Sequence, residues 1–134
     1  MKRQYIQLHN GNGNSIILVN DIMFMYEETE KYGGTVYVSG NGKNTFNVPN
    51  SFFERSDIKD VITKHFFVIS LPFIGSKFYV NKHNRYKFIH ESMIEFENGY
   101  YLKLTDFFTW KDSQTITDKI ITYIKECQSN KILK

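Results

Sequence analysis

Residues 66–108 read FFVISLPFIGSKFYVNKHNRYKFIHESMIEFENGYYLKLTDFF, and this stretch decides the fold. Aromatic and β-branched residues dominate it, and such residues favour β-strands. We predict three strands here, of which the last two form a hairpin around Asn98-Gly99. That dipeptide predicts a type I′ turn, because asparagine and glycine both tolerate a positive φ.

The middle of this stretch is the densest basic and aromatic run in the chain. Its members are Lys77, Phe78, Tyr79, Lys82, His83, Arg85, Tyr86, Lys87 and Phe88. Several positive charges this close together would neutralise phosphates and give a salt-dependent affinity for nucleic acid. The other interpretation is a solvated strand, whose charged residues alternate with buried rings and prevent edge-to-edge aggregation.

Toward the amino terminus, turn and strand signals alternate. Strands are predicted at residues 5–8, 15–19, 21–26, 35–39 and 45–48, joined by turns rich in glycine and asparagine. Pro49 ends the last of these strands, because proline lacks the backbone N–H that a sheet requires. Ser56 is predicted to cap a short helix that ends near Lys64.

Toward the carboxyl terminus, the chain has its longest helical pattern. Ile116, Ile120 and Ile124 recur at steps of four residues, which places them on one side of a helix. We therefore predict an amphipathic helix over residues 113–126. The polar residues after it predict a frayed tail at 128–134.

The composition favours a mainly β fold. The chain of 134 residues has nine tyrosines and twelve phenylalanines, but no alanine and only two prolines. A chain of this length usually forms one domain, so we predict a single domain over residues 1–134 with a β region at 4–110. In this fold, antiparallel hairpins precede a C-terminal α-helix.

Charge and cysteine content narrow the classes of function. The formal net charge of +3 is too small to indicate nucleic-acid binding by itself. The single cysteine, Cys127, excludes an internal disulfide and fits a reducing compartment, which predicts a cytoplasmic protein. No segment has the pattern of a signal peptide or a membrane span, so we expect no membrane association.

Residues that could form an enzyme site do not have the required spacing. The four histidines match no metal-binding motif, and the one cysteine has no second thiolate beside it. His90, Glu91 and Ser92 are residue types of a catalytic triad, but neighbours in a strand point to opposite faces. We therefore expect a protein that is not an enzyme and needs no cofactor and no metal.

A weak internal regularity offers an alternative. Val19-Asn20 and Val80-Asn81 each open a series of strand, hairpin and helix, with a period of about sixty residues. Two such β-plus-helix repeats would form a non-catalytic module that binds a protein partner rather than DNA.

Three motifs resemble the LytTR-type DNA-binding domains, which are the output domains of many bacterial response regulators. Residues 20–24 followed by Glu27 or Glu28 resemble a strand near the start of that family. Residues 66–67 and 79–84 resemble its central segment, and residues 94–104 resemble its last hairpin. The similarity extends over residues 5–110. It implies an elongated all-β fold with short helices, whose loops contact successive major grooves of DNA.

The resemblance implies a stand-alone protein that binds duplex DNA and regulates transcription. Such a small reader would form a homodimer on a repeated site, because one module contacts few bases. Its DNA-contacting loops would lie near residues 31–34, near Ser70 and near residues 105–107. The DNA-binding residues that we predict are Lys31, Tyr32, Ser70, Lys77, Lys82 and Lys103.

Overall fold

The computed structural model describes residues 4–10, 13–28, 33–39, 45–71 and 76–132. Three antiparallel sheets and a C-terminal α-helix form this part of the chain, which confirms the predicted fold class. The strands are β1 (Tyr5–Asn10), β2 (Gly13–Leu18), β3 (Ile22–Glu28), β4 (Gly33–Val38), β5 (Thr45–Val48), β6 (Phe66–Leu71), β7 (Ser76–Asn81), β8 (Tyr86–His90), β9 (Met93–Phe96) and β10 (Tyr101–Lys103). The α-helices are α1 (Asn50–Glu54), α2 (Ser56–His65) and α3 (Trp110–Ile132), and 3-10 turns lie at Val19–Asp21 and Leu104–Asp106.

These elements form two compact units, one up to Asn84 and one from Arg85 onward. The prediction of a single domain is not tested by this division and stays a prediction. In the first unit, a five-stranded sheet has the order β5-β4-β3-β7-β6, and β1 and β2 form a separate hairpin. The central strand β3 has five consecutive buried residues, from Ile22 to Tyr26. A strand that is buried on both faces is apolar without interruption, as this segment is.

The two short helices and the β1–β2 hairpin share one hydrophobic core with the five-stranded sheet. Its buried members include Ile6, Leu8, Ile17, Met25, Val36, Val48, Phe52, Phe53, Ile58, Val61 and Tyr79. The ring of Phe53 stacks on that of Tyr79 with 6.0 Å between the centroids. Burial of each large apolar side chain contributes about 1.5–3 kcal/mol, so this core fixes α2 relative to the sheet.

Two glycines allow β4 to pair closely with both of its neighbours. Gly33 has a φ of +114°, and a Cβ atom there would lie 1.8 Å from the carbonyl oxygen of Val48. A Cβ atom on Gly34 would lie 1.8 Å from the carbonyl oxygen of Tyr26. Both positions therefore require glycine, since any side chain would push β4 away from β3 or β5.

The second unit contains the sheet β10-β9-β8 and the helix α3. This helix begins after Thr109, whose hydroxyl oxygen accepts a hydrogen bond from the backbone N–H of Asp112 at 3.1 Å. It therefore begins earlier than the predicted residue 113, and it continues to Ile132 over residues predicted to form a tail. Ile116 and Ile120 are fully buried, in agreement with their spacing.

The hairpin of β9 and β10 turns at Asn98-Gly99 as predicted, but the turn is not of type I′. That type needs a positive φ at both central residues, and Glu91 is the one described non-glycine residue with a positive φ. Instead, the N–H of Gly99 donates to the carbonyl oxygen of Phe96 at 3.0 Å, and Gly99 has a φ of +92°. This is a three-residue loop whose last position is glycine, the next most common way to close a hairpin.

Three further predictions about local structure are corrected. Residues 66–108 contain five strands rather than three, and the helix α1 comes before α2 without having been predicted. Ser56 is the first residue of α2 rather than its N-cap, which is Arg55. The start of α2 is held by Arg55, whose guanidinium donates two hydrogen bonds, of 2.6 and 3.0 Å, to the carboxylate of Asp57.

The prediction of two equivalent repeats is wrong. In the first supposed repeat, β3 belongs to the same sheet as the hairpin that follows it, which is β4 and β5. In the second supposed repeat, β7 pairs with β3 and β6 and not with the strands that follow it, β8, β9 and β10. The two asparagines that suggested the repeat also differ, because Asn20 is exposed and Asn81 is buried. The short Val-Asn match was therefore a coincidence between unrelated positions.

Candidate nucleic-acid interface

The helix α2 ends with two residues that can carry positive charge. Ile58 and Val61 on its inner side are buried, so Lys64 and His65 in the last turn lie at a fixed place on the edge of the core. Cations at the carboxyl end of a helix interact favourably with its dipole. Lys64 also forms an ion pair with Asp60, one turn earlier, at 3.1 Å.

The pairing of β6 with β7 brings a second basic dipeptide to the same place. Phe66 lies opposite Asn81 in this antiparallel pair, so the residues before β6 meet the residues after β7. The backbone N–H of Lys82 donates to the carbonyl oxygen of His65 at 2.8 Å. Lys82 and His83 are both exposed.

Asn81 fixes the turn that carries Lys82 and His83. Its buried amide nitrogen donates to the carbonyl oxygens of Val19 and Ile22, at 3.2 and 2.9 Å. Its amide oxygen accepts a hydrogen bond from the backbone N–H of His83 at 2.9 Å. The Val-Asn part of the motif is thus structural, because Asn81 connects β7 to the 3-10 turn before β3.

The two histidines of this cluster are hydrogen-bonded to each other. The Nδ1 atom of His65 lies 3.2 Å from the Nε2 atom of His83, and the Nε2 atom of His65 lies 3.1 Å from the Oε1 atom of Gln4. Since an amide oxygen only accepts, Nε2 of neutral His65 carries the proton and its Nδ1 accepts from His83. Protonation of His65 at Nδ1 would reverse the direction of this hydrogen bond, because Nδ1 would then donate to Nε2 of His83.

The surroundings of His65 resist its protonation. Partial burial of the ring lowers the pKa of His65 below its ordinary value, and the nearby positive charges of His83, Lys64 and Lys82 lower this pKa further. The carboxylate of Asp60 acts in the opposite direction but more weakly. A bound anion would reduce the repulsion between these cations and make protonation of His65 easier.

We call the group of Lys64, His65, Lys82 and His83 the basic corner. Its two lysine ammonium groups donate up to three hydrogen bonds each, and its histidines add further N–H donors. Such donors bind the phosphate groups of nucleic acids. The carboxylate of Asp60 acts on His65 through its negative charge, and it already pairs with Lys64.

The structure brings two of the predicted DNA-binding residues into direct register. Ser70 on β6 lies opposite Lys77 on β7, and both side chains are exposed. On its other side Lys77 lies opposite Glu27 of β3. Lys77 and Lys82 are at opposite ends of β7, five residues or roughly 17 Å apart, so Lys77 is not part of the basic corner.

The remaining predicted residues are distributed as follows. Lys82 belongs to the basic corner, and Lys103 is exposed on β10 in the second unit. Lys31 and Tyr32 lie outside the described residues. The predicted loop at 105–107 overlaps the 3-10 turn Leu104–Asp106, where the hydroxyl of Thr105 lies 3.4 Å from that of Ser92.

Local sequence patterns do not connect Lys64 and His65 with Lys82 and His83. These two dipeptides are far apart along the chain, and only the register of β6 with β7 brings them together. The useful signal was present, since both are Lys-His pairs directly next to predicted elements. The register of β6 with β7 depends on the length of the loop that joins them, and the sequence does not define where that loop begins and ends. A shift of the register by one residue changes which residues lie opposite each other.

Comparison with models of known protein families and with curated protein sequences gives no match to this chain. The resemblance to LytTR-type domains therefore stays a prediction. Within the ranges that the structure describes, no three His, Cys, Asp or Glu side chains come together as metal ligands. None of the helices in this described part combines the length and the apolar character that a membrane crossing requires.

Proposed function

We propose that the protein binds duplex DNA and acts in transcription regulation, as the resemblance to LytTR-type domains implies. The observation that carries this proposal is the basic corner, in which Lys64, His65, Lys82 and His83 converge. Lysine and histidine N–H groups bind the phosphates of a duplex and fix its position. The three antiparallel sheets and the short helices α1 and α2 also agree with the fold that this family implies.

Contacts to phosphates give affinity without sequence preference, so regulation needs a second set of contacts. In this proposal, Ser70 and Lys77 lie along the same β-hairpin as the corner and contact the adjacent part of the duplex. A hydroxyl or ammonium group can donate to base acceptors in the major groove. A homodimer on a repeated site would double these few contacts.

A titration of labelled duplex DNA of mixed sequence, about 20 base pairs long and at low salt, tests the binding. We expect an anisotropy increase at micromolar protein. Lys64→Gln and Lys82→Gln should each weaken this binding severalfold. The control is Lys119→Gln, which removes the same charge from an exposed position on α3.

Two results would contradict the proposal. One is the absence of binding at about 100 µM protein in low salt, a concentration at the weak end of the usual range for non-specific DNA binding at physiological salt. The other is an equal loss of affinity in Lys119→Gln, since binding would then follow net charge rather than the corner. Selection of bound duplexes from a library of random sequences tests for the sequence preference that regulation requires. If no repeated motif is enriched, the proposed role in transcription regulation is contradicted.

A further inference from the structure

The three-stranded sheet of the second unit has one face whose residues are mostly exposed. Glu95 on β9 lies opposite Phe88 on β8 and opposite Tyr101 on β10, so these three side chains form one row across the sheet. The next row consists of His90, Met93 and Lys103. We call these two rows, together with Lys87, the open face.

The opposite face of this sheet is apolar and buried. Ile94 and Leu102 are at most 5% exposed, as expected for residues that alternate with the open face along each strand. On the open face, by contrast, Phe88 is 43% exposed and Tyr101 is 65% exposed. Among the described residues, neither of these two rings stacks on another ring. Both rings therefore present surface that is available for stacking.

Three side chains that can carry positive charge lie near the two rings. The side chains of Lys87 and Lys103 are exposed, and His90 adds an exposed imidazole. The carboxylate of Glu95 lies between the rings, is 27% exposed, and pairs with Lys87 at 3.5 Å. The imidazole of His90 lies 4.0 Å from the carboxylate of Glu91. Among the ion pairs of the described residues Lys103 has no carboxylate partner, so its ammonium group provides positive charge on the strand that carries Tyr101.

We propose that the open face binds single-stranded nucleic acid. Phe88 and Tyr101 are separated by one strand, or about 10 Å. Each can stack one base while Lys87 and Lys103, on the same strands as the two rings, contact phosphates of the strand. Aromatic rings combined with lysines are the usual means of binding single strands without strong sequence preference. A protein partner fits less well, because a docking surface for apolar side chains would be continuous, whereas Glu95 divides this one.

This inference is independent of the proposed duplex binding. It involves other residues, in the other compact unit, and a ligand whose bases are accessible rather than paired. A protein with both surfaces would bind a duplex through the basic corner and an unpaired strand through the open face. Each surface can be tested without the other.

The test is an anisotropy titration with a labelled single strand of about 12 nucleotides that cannot pair with itself. Phe88→Ala and Tyr101→Ala should each weaken its binding by about fivefold to a hundredfold, because each removes one stacking surface. Phe88→Tyr and Tyr101→Phe keep a ring at each position and should bind within about twofold of the unchanged protein. Circular dichroism of all four variants confirms that they are folded.

Duplex titrations with the same variants complete the design. We expect Phe88→Ala and Tyr101→Ala to bind the duplex unchanged. Lys82→Gln should weaken binding of the single strand by less than either alanine variant does, because the phosphates of the strand can also contact the basic corner. The proposal is overturned if the unchanged protein fails to bind the single strand at about 100 µM in low salt. It is also overturned if the alanine variants bind the single strand as tightly as the unchanged protein. A third contrary result would come from sedimentation: if the unchanged protein is a dimer and the only effect of the alanine variants is to make it a monomer, the open face contacts a second copy of the chain.

Discussion

Asn81 determines both the stability of the first unit and the position of the cations beside it. Its side chain donates to two backbone carbonyl oxygens and accepts from the N–H of His83, while being fully buried. Hydrogen bonds from one buried side chain to three backbone groups cannot be replaced by water when the side chain is shortened. This residue therefore connects the packing of the core with the geometry of the basic corner.

Replacement of Asn81 by alanine should destabilise the protein strongly. We expect a loss of about 2–4 kcal/mol in the free energy of unfolding, because buried backbone groups lose their partners. Urea unfolding followed by circular dichroism measures this loss. Asn84→Ala is the comparison, since the amide of Asn84 donates to Met23 at 3.0 Å in a less buried setting, and its loss should be smaller. Equal losses in the two variants would contradict the role given to Asn81.

The lowered pKa of His65 predicts how stability and binding change with pH. The unfolded chain takes up a proton as the pH falls through the ordinary histidine pKa of about 6.5, whereas the folded chain resists it down to the lowered value. The free energy of unfolding should therefore decrease as the pH falls from 7.5 to about 5.5. DNA binding should change in the opposite direction and become tighter, because a phosphate stabilises the protonated form.

Urea titrations and anisotropy titrations at these two pH values measure the two effects. His65→Gln should reduce both pH dependences, since it removes the group that titrates. His90→Gln removes an exposed histidine of the second unit and serves as the control. If both variants kept the full pH dependence, another group would be responsible.

At the scale of elements, the hairpin of β8 and β9 closes with an unusual residue. His90 lies opposite Met93, so Glu91 and Ser92 form a two-residue loop, and Glu91 has a φ of +53°. Asparagine and glycine are the residues that adopt this conformation most easily. The loop contains neither asparagine nor glycine, so the sequence carries no turn signal at this place. For that reason the number of strands predicted for residues 66–108 was too small.

Relief of this backbone strain should stabilise the hairpin. We expect Glu91→Asn to raise the free energy of unfolding by about 0.5 kcal/mol, because asparagine tolerates a positive φ better than glutamate. Glu91→Val should lower it by about 1 kcal/mol, since a β-branched residue is strained there. Thermal unfolding of the three proteins measures the order. A valine variant as stable as the asparagine variant would be incompatible with this explanation.

The elements that were predicted correctly have strong local signals, and the missed ones do not. The pattern of Ile58 and Val61 predicts α2, and the glycine-rich turn predicts the β1–β2 hairpin. In contrast, α1 has only five residues, and both Phe52 and Phe53 are buried, so no helical period is visible. The basic corner was not predicted as a unit, because it depends on a register between strands that local patterns do not define.

At the scale of the whole molecule, the small net charge of +3 makes the local arrangement of charge decisive. If the basic corner contacts two to four phosphates, the logarithm of the DNA affinity should fall with the logarithm of salt concentration with a slope of about −2 to −4. Lys82→Gln should reduce the magnitude of this slope by about 0.9. Titrations at several salt concentrations measure it, and a slope near zero would mean that phosphates are not the ligand.

The strand β6 has a consequence for the handling of this protein. It is the last strand of the five-stranded sheet, and its sequence FFVISL contains neither a charge nor a proline. Val68 on this strand is 52% exposed. Natural proteins usually protect an edge strand from pairing with another chain by means of lysine, proline or a β-bulge. Such protection matters because short uncharged segments with high β-propensity nucleate fibrils. Concentrated or partly denatured samples would therefore begin to form ordered aggregates at the same strand whose pairing assembles the cationic surface.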